Sequence, residues 1–443
     1  MSALWELSAH ELTRGYAKGD FTPLDALNSV LERCDAVNPG INAVICRNDV
    51  AAREMAQASS DRWRAGAPVS DLDGVPISVK DNLLVKGFTA TWGTRAFRDF
   101  RPEADEVPVA RLRAAGAVFF AKTNVPELTL QGYTDNLLFG PTGLPFAPDL
   151  TPGGSSGGAA AAVAAGIGPL ALGTDGGGSI RRPAAHAGLY GLKPGAGRVD
   201  RGNGFPAILG AFEVVGPIGR DIRDVRTMFR CLLGRPGAAV AAGPKRILYA
   251  RHFSGQPVDP DILARTDEAA QTLAGLGHEV STVESFDATA ALDRIWPVIS
   301  SSGVAWLAQS DASLAEGLGK DVRAMADAGS GLGASDYAGA MVRLEEMRLA
   351  YRSAMQGHDL LMTPAIAAFS WPKAQSHPAE IAGTEVGPRG HAVFTAFANA
   401  LGLAALTIPL WPGRVGLPCG VQIVGEPMDE ELLLGLAAQV AGV

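Results

Sequence analysis

Serines embedded among glycines are the residues of this chain best suited to do chemistry. They lie in residues 151–183, whose first part, from Thr151 to Thr174, contains no charged residue. Two segments, GGSSGG at 153–158 and GGGSIR at 176–181, flank an apolar run. Glycine lets a ligand approach the main chain closely, and a serine nucleophile needs backbone amides that can hold an oxyanion. The pattern therefore indicates nucleophilic catalysis by a serine.

These segments resemble the signature of the amidase signature family, hydrolases with a Ser–Ser–Lys triad. Three motifs carry the resemblance in order along the chain, and a weaker match follows near the C-terminus. They are Asp73-Gly74-Val75-Pro76 with Val79-Lys80-Asp81, then Gly153-Gly154-Ser155-Ser156-Gly157-Gly158, then Gly173-Thr174-Asp175 with Gly177-Gly178-Ser179-Ile180-Arg181 and Pro183-Ala184, and finally Leu417-Pro418 with Gly420-Val421-Gln422. Three motifs with coherent spacing make a strong signal, whereas one glycine-serine segment alone is weak.

The resemblance implies a role for each member of a triad. Ser179 would be the nucleophile, and Lys80 would be the base. Ser155 would relay the proton between them, after a cis Gly154–Ser155 peptide bond, because a hydroxyl both donates and accepts a hydrogen bond. Lys80 must be neutral to accept a proton, and burial can lower a lysine pKa from about 10.4 to about 7. Ser156 is the alternative relay, although its simpler role would be to cap the following helix.

The glycines before the nucleophile are the predicted oxyanion hole. The amides of Gly176, Gly177, Gly178 and Ser179 are expected to converge on one point, and each such donor typically contributes about 3 kcal/mol to lowering the barrier. Taken alone, the segment would also fit a structural glycine turn. The two other motifs favour the catalytic interpretation.

Several neighbouring residues are predicted to support the site. Asp175 and Arg181 match family positions, and we interpret them as a buried pair that holds the second glycine segment. Arg182 is a second arginine that could hold a substrate carboxylate, with a structural arginine as the alternative. Thr129 aligns weakly with a pocket-wall position of the family, and His186 is interpreted as a packing residue.

Composition limits the classes of function. The chain has 443 residues, of which 47% are hydrophobic and 19% charged, and its formal charge of −8 argues against a nucleic-acid partner. The four cysteines show no C-x-x-C spacing, so we expect neither a zinc site nor disulfides, and no metal or cofactor. The N-terminus lacks the apolar core of a signal peptide, which favours a cytoplasmic protein. The uncharged stretches 151–174 and 392–413 are predicted to be buried core rather than membrane spans.

Helices and strands alternate along the chain, which predicts an α/β fold. The resemblance implies a large mixed central sheet flanked by helices on both faces. The predicted helices are 8–18, a helix from Thr22-Pro23 to a stop at Asn38-Pro39-Gly40, 50–65, 106–115, 158–165, 260–275 and most of 300–356. The predicted strands are 41–46, 75–80, 117–121, 167–173, 245–249, 278–283 and the apolar runs LLMTPAI and GVQIVG.

We expect one amidase domain over 1–443. It would comprise an N-terminal helical part at 1–69, a catalytic core at about 70–235 and 358–443, and a variable covering segment at about 236–357. The looser composition around 234–243 suggests the boundary of that segment. The covering segment and the loop 124–146 are expected to set the substrate, although neither carries a motif that identifies it.

The sequence thus predicts a cofactor-free amidohydrolase that cleaves the C–N bond of a linear amide through an acyl-enzyme. Its predicted partner is a small-molecule amide, with neither nucleic acid nor membrane expected, and a homodimer is compatible with the sequence. One alternative is the amidase subunit of a glutamine-dependent tRNA amidotransferase, which acts with partner chains. Another is a non-catalytic binding protein on the same fold, which retention of all three triad residues argues against.

An α/β-hydrolase is a further alternative. Gly153-x-Ser155-x-Gly157 formally fits the G-x-S-x-G elbow, but that elbow follows a strand, and the preceding FAPDLTP does not read as one. The histidines available to such a triad are His252, His278, His358, His377 and His391.

Overall fold

A computed structural model describes residues 3–234, 243–411 and 416–443 of the chain. Its central feature is a mixed sheet of 11 strands, and two further short strands form a separate hairpin. In chain order the strands are β1 Val44–Arg47, β2 Pro76–Lys80, β3 Val118–Thr123, β4 Leu170–Asp175, β5 Tyr190–Lys193, β6 Val214–Gly219, β7 Arg246–His252, β8 Glu279–Ser285, β9 Leu360–Pro364, β10 Glu380–Ile381, β11 Thr384–Glu385, β12 Ala404–Leu410 and β13 Cys419–Gly425. The order across the large sheet is β1-β3-β2-β4-β6-β5-β12-β13-β9-β7-β8.

Within the described residues, 14 α-helices accompany the strands. They are α1 Ala9–Lys18, α2 Pro23–Ile41, α3 Asp49–Arg64, α4 Val107–Ala114, α5 Gly157–Ala164, α6 Arg181–Ala187, α7 Ile222–Leu233, α8 Pro260–Gly275, α9 Leu292–Ser310, α10 Ala312–Gly317, α11 Lys320–Ser330, α12 Ala334–Ala354, α13 Ala396–Ala400 and α14 Glu430–Ala441. The alternation of helix and strand expected from the sequence is confirmed, and so is the large mixed sheet.

Both faces of the sheet are buried. Along β7, Leu248 and Ala250 belong to one apolar cluster, whereas Ile247 and Tyr249 belong to a second. Because successive side chains of a strand point to opposite faces, the two clusters lie on opposite sides of the sheet. The prediction that helices cover both faces is therefore confirmed.

The first helices begin as predicted, but the second ends later. The Ser8 hydroxyl accepts the Glu11 amide at 3.1 Å, and the Glu11 carboxylate accepts the Ser8 amide, which completes the capping box. The predicted stop at Asn38-Pro39-Gly40 is wrong, because α2 continues to Ile41 and ends at Asn42 in the left-handed conformation. Pro39 lies in the last turn, and the Asn38 side chain fixes the exit by accepting two downstream amides.

Two parallel strands bring distant parts of the sequence to one edge. β2 pairs with β4 in parallel, with Ile77 opposite Leu170 and Val79 opposite Leu172. The carboxyl ends of parallel strands meet at the same edge of a sheet. Lys80, the last residue of β2, therefore lies beside the residues that lead from β4 into the second glycine segment.

Within the described residues of the two uncharged stretches, the α-helices are short, α5 and α13, and each stretch also contributes a strand to the sheet, β4 and β12. Across the described ranges, no helix has both the length and the apolar character needed to cross a bilayer. The boundary predicted near 234–243 falls largely on 235–242, outside the described residues. So do residues 412 and 413 of the second stretch.

Candidate active site

A cavity of about 500 Å³ lies at the carboxyl end of β4. Ser155 and Ser179, the two predicted catalytic serines, both line it, and so do Thr129 and Arg182. Ser155 lies just before α5, and Ser179 lies between β4 and α6. The fold thus brings residues from all three sequence motifs to one region, because Lys80 contacts one of these serines from β2.

Lys80 is held by hydrogen bonds at the end of β2. Its Nζ donates to Ser155 Oγ at 2.8 Å, to Thr174 Oγ1 at 2.8 Å and to Thr174 O at 3.1 Å. Asp81, the next residue, faces away and pairs with Lys122 at 3.5 Å. As expected from the alternation along a strand, the adjacent carboxylate does not bind the proposed base.

The lysine is fully buried, and this burial sets its charge. The pKa of Lys80 is lowered to about 7: burial is the largest cause, the carboxylates of Glu213 and Asp175 oppose it, and Arg201 adds to it. An ammonium loses hydration when it is buried, so the neutral amine is favoured. Near neutral pH a substantial fraction of the protein therefore carries Lys80 as a base able to accept a proton.

Ser155 and Ser156 have different surroundings. The Gly154–Ser155 peptide bond is cis, as the resemblance implied. Ser155 Oγ accepts from Lys80, whereas Ser156 Oγ donates to the Thr174 carbonyl at 3.1 Å. The predicted helix-capping role of Ser156 is wrong, because no side-chain hydrogen bond caps α5 there. Its hydroxyl instead joins the start of α5 to β4.

One member of the predicted oxyanion hole needs correction. The Gly178 amide donates to Asp175 Oδ1 at 2.7 Å, so that N–H is occupied. The segment turns sharply at this point, since Gly178 has a φ of +119°. Gly176, Gly177 and Ser179 line the cavity. Their amides remain the candidates for holding an oxyanion.

The charged pair predicted to support this segment is present. Asp175 and Arg181 are both fully buried, and their closest atoms are 2.9 Å apart. Burial alone would raise the pKa of Asp175, but Arg181 and other donors lower it overall, so the carboxylate stays ionised. Its oxygens also accept the amides of Gly178 and Ile180 at 2.7 and 3.0 Å. The pair therefore fixes the backbone on both sides of Ser179.

Residues far along the chain complete this support. Arg181 uses all its N–H groups, because it also donates to Gln422 Oε1 at 2.5 Å, Asn399 Oδ1 at 2.5 Å and the Thr395 carbonyl at 2.9 Å. Gln422 belongs to the weak C-terminal motif, but no local pattern marked Thr395 or Asn399. Sequence reasoning missed both of them. It placed Thr174 in the third motif but assigned it no role, whereas Thr174 accepts from Lys80.

We expect Asp175→Ala to lower the free energy of unfolding by about 3–5 kcal/mol, because it leaves Arg181 as an unpaired buried charge. Urea denaturation would measure this loss. Asp61→Ala is the control, because its pair with Arg64 is exposed and such pairs contribute about 0–1 kcal/mol. Equal losses in the two variants would contradict the structural role of the buried pair.

Arg182, Thr129 and His186 all lie near the cavity. Arg182 is buried and lines it, as does Thr129. The Thr129 hydroxyl accepts from Trp92 Nε1 at 3.2 Å and donates to the Leu128 carbonyl at 2.6 Å, so its proton is already used. His186 packs edge-on against Trp371 with ring centroids 5.6 Å apart, which agrees with its predicted packing role.

The geometry does not fit an α/β-hydrolase elbow at Ser155. Residues 151–156 follow no strand, whereas such an elbow begins where a strand ends. The side chain that contacts Ser155 Oγ is Lys80 rather than a histidine. Among the described residues, no cluster of three or more histidine, cysteine, aspartate or glutamate side chains could hold a metal ion.

Comparison with known proteins extends over nearly the whole chain. The sequence model of the amidase family matches residues 25–434. A subunit of glutamyl-tRNA(Gln) amidotransferase from Geotalea daltonii is 31% identical, over 98% of this chain and 96% of its own length. A crystal structure of an amidase has a TM-score of 0.89 at 30% identity, covering 98% of this chain and 99% of that one. A bacterial aryl acylamidase of the amidase signature family has a TM-score of 0.88 at 26% identity, covering 98% and 96%.

Proposed function

This chain belongs to the amidase signature family, and on that premise we propose that it hydrolyses a linear carboxylic amide through a serine acyl-enzyme. The observation that best supports this proposal is the contact between Lys80 and Ser155. A fully buried lysine with a pKa of about 7 donates to a serine that lines the same cavity as Ser179. A base of this pKa is matched to proton transfer near neutral pH.

In the proposed acylation step, Ser179 Oγ attacks the amide carbonyl carbon. The Ser179 proton passes to Ser155, whose own proton passes to neutral Lys80. The carbonyl oxygen becomes an oxyanion, which the amides of Gly176, Gly177 and Ser179 stabilise. The C–N bond then breaks, and the relay returns one proton to the leaving nitrogen. The products of this step are an acyl-enzyme and a free amine or ammonia.

Deacylation uses the same groups with water as the nucleophile. Water attacks the Ser179 ester and gives one proton through Ser155 to Lys80. Collapse of the second tetrahedral intermediate releases the carboxylic acid, and the proton held by Lys80 returns to Ser179. The cycle needs no cofactor or metal, because every proton moves between the substrate, water and these three side chains.

The proposed substrate contacts come from segments outside the catalytic motifs. From the covering segment, Trp296, Ser300 and Met325 line the cavity. The loop 124–146 contributes Thr129 and its neighbours to the same wall. We propose that these two segments, together with Arg182, select the substrate of a single domain that spans the chain.

The test is turnover by the isolated chain on a panel of aliphatic, aromatic and carboxylated amides. We expect hydrolysis of at least one class, with release of the amine and the acid in equal amounts. Ammonia or amine release without any added protein partner supports a free-standing amidase. Absence of turnover on the whole panel contradicts it.

A second candidate follows from the relatives. The proteins matched at 31–32% identity include glutamyl-tRNA(Gln) amidotransferase subunits from Geotalea daltonii and Symbiobacterium thermophilum. This chain would then use the same triad within an assembly that amidates glutamyl-tRNA(Gln). Co-purification of untagged partner chains, with amide hydrolysis only in their presence, would favour this candidate.

A further inference from the structure

The two adjacent arginines after the proposed nucleophile, Arg181 and Arg182, differ in how well their N–H groups are satisfied by acceptors. Arg181 is saturated by acceptors, one of them the carboxylate of Asp175. Arg182 is also buried, yet its two recorded hydrogen bonds are long, at 3.4 Å to the Gly178 carbonyl and 3.5 Å to the Gly154 carbonyl. Within the described ranges, no carboxylate lies at ion-pair distance from Arg182. A buried guanidinium that lines a cavity without an anionic partner is suited to bind an anion there.

A buried histidine lies beside this arginine. His391 is 1% exposed and lines the same cavity. Neither of its ring nitrogens has a hydrogen-bond partner within the described residues. Burial, together with the charge of Arg182, lowers the pKa of His391 well below its ordinary value, so the ring is neutral and keeps one N–H donor. An unpaired buried donor is costly unless a ligand satisfies it.

A glycine marks the point where these two side chains approach each other. A β-carbon on Gly132 would lie 2.5 Å from His391 Nε2 and 3.4 Å from Arg182 Nη1. The space next to this point is therefore bordered by the guanidinium and the imidazole together. Both groups can donate hydrogen bonds, which matches the two oxygens of a carboxylate.

The acidic residues of the cavity are not paired with Arg182. Glu213 pairs with Arg201, which it shares with Glu106, so its negative charge is partly offset. Asp321 is exposed at the cavity wall. Arg389 adds a second positive charge, and its guanidinium lies 4.8 Å from the centre of the Trp296 ring. The buried end of the cavity at Arg182 is thus electropositive.

We propose that the cavity takes an amide whose acyl part carries a carboxylate, and that Arg182 and His391 bind this carboxylate. The arginine contacts the carbonyls of the residues that immediately precede Ser155 and Ser179. The carboxylate must therefore lie only a few bonds from the carbonyl under attack, as in the monoamide of a short dicarboxylic acid. This inference rests on the proposed amidase function, because it names the substrate class of the same site.

Succinamate and butanamide are the test pair, since they differ in whether a carboxylate ends a short chain. The wild-type enzyme should favour succinamate in kcat/KM by roughly 100-fold, as expected for hydrogen bonds to a charged group. Arg182→Gln should bring this ratio close to one, and His391→Phe should lower it about tenfold. Arg64→Gln, which removes an exposed arginine, is the matched control and should keep the ratio.

A binding measurement separates this inference from the proposed function. Succinate should raise the Tm of the Ser179→Ala variant, and this rise should disappear in Ser179→Ala/Arg182→Gln. If no amide is turned over while the Tm rise depends on Arg182, the carboxylate site stands and the amidase proposal fails. If the kcat/KM for butanamide or 4-aminobutanamide equals that for succinamate, the amidase proposal stands and the carboxylate site is refuted.

Discussion

Replacing Ser179 with alanine should lower kcat/KM by about five orders of magnitude while leaving the fold intact. Water cannot take the place of the serine hydroxyl in forming the acyl-enzyme, so loss of this hydroxyl removes the covalent route. The backbone around Ser179 is held by Asp175 through the amides of Gly178 and Ile180, and that support does not involve the serine hydroxyl. Unchanged urea midpoints, measured beside the rate on the best amide of the panel, would separate chemistry from folding.

A fluorophosphonate label identifies the nucleophile without relying on the rate. The label should attach to Ser179 in the wild-type protein and be absent from Ser179→Ala. Ser78→Ala is the control, because Ser78 is fully buried on β2 and its hydroxyl has no recorded partner in the described part of the chain. That variant should label and turn over like the wild type. Labelling of Ser155 with Ser179 unmodified would instead favour a nucleophile elbow at the first glycine segment.

The sequence predicted the elements that place the catalytic candidates because their signals are local. β2 and β4 are mostly apolar and are buried along their whole length, as expected for parallel strands covered on both faces. A lysine at the end of such a strand must lie either in the interior of the protein or at the edge of the sheet. Lys80 contacts Ser155 across 75 residues of sequence, because β2 pairs with β4 and the helix that follows Ser155, α5, packs on both strands.

The parts that the sequence could not predict depend on contacts between distant segments. Arg181 donates to Thr395, Asn399 and Gln422, more than 200 residues away. Gln422 lies in the weak C-terminal motif, but no local pattern marks Thr395 or Asn399 for this role. His391 could not be recognised as a cavity residue for the same reason. Two features of its environment mark it: Arg182 lies close to it, and neither ring nitrogen has a hydrogen-bond partner among the described residues.

The sequence could not show that the Gly178 amide is already hydrogen-bonded, and the reason is a different one. Four consecutive amides look equivalent in the sequence, and only the folded turn decides which of them point toward a ligand. Asp175 accepts the amide at Gly178, so this N–H is not available to a ligand, whereas Gly176, Gly177 and Ser179 line the cavity. The same carboxylate that stabilises the segment therefore also limits how many donors it can offer.

The second large effect concerns Lys80 and the pH dependence of the rate. With a pKa of about 7, the lysine is protonated below that pH and cannot accept a proton. We expect kcat/KM to rise with pH through a single limb centred near the lysine pKa of about 7 and to level off in alkali. Lys80→Ala should lower the plateau by about four orders of magnitude and remove the limb. Initial rates from about pH 5 to about pH 10 on one neutral amide would measure both changes.

A second buried lysine provides a matched control. Burial lowers the pKa of Lys193 to about 7 as well, but its Nζ donates to the Pro194 carbonyl and does not contact either serine. Lys193→Met should therefore keep the basic limb. Loss of the limb in that variant, with retention in Lys80→Ala, would assign the titration to the wrong lysine and refute the proposed base.

Two more variants test whether Lys80 acts as a base within one unit. Lys80→Arg keeps a positive charge that does not dissociate in this pH range, so it should be as inactive as Lys80→Ala. The double variant Lys80→Ala/Ser179→Ala should be little slower than Ser179→Ala alone, because groups of one catalytic unit are not additive. Ser155→Ala should cost less than Ser179→Ala, since water can partly replace a relaying hydroxyl. Near-normal rates with an intact basic limb in Lys80→Ala would show that another group removes the serine proton, and the proposed relay would then be wrong.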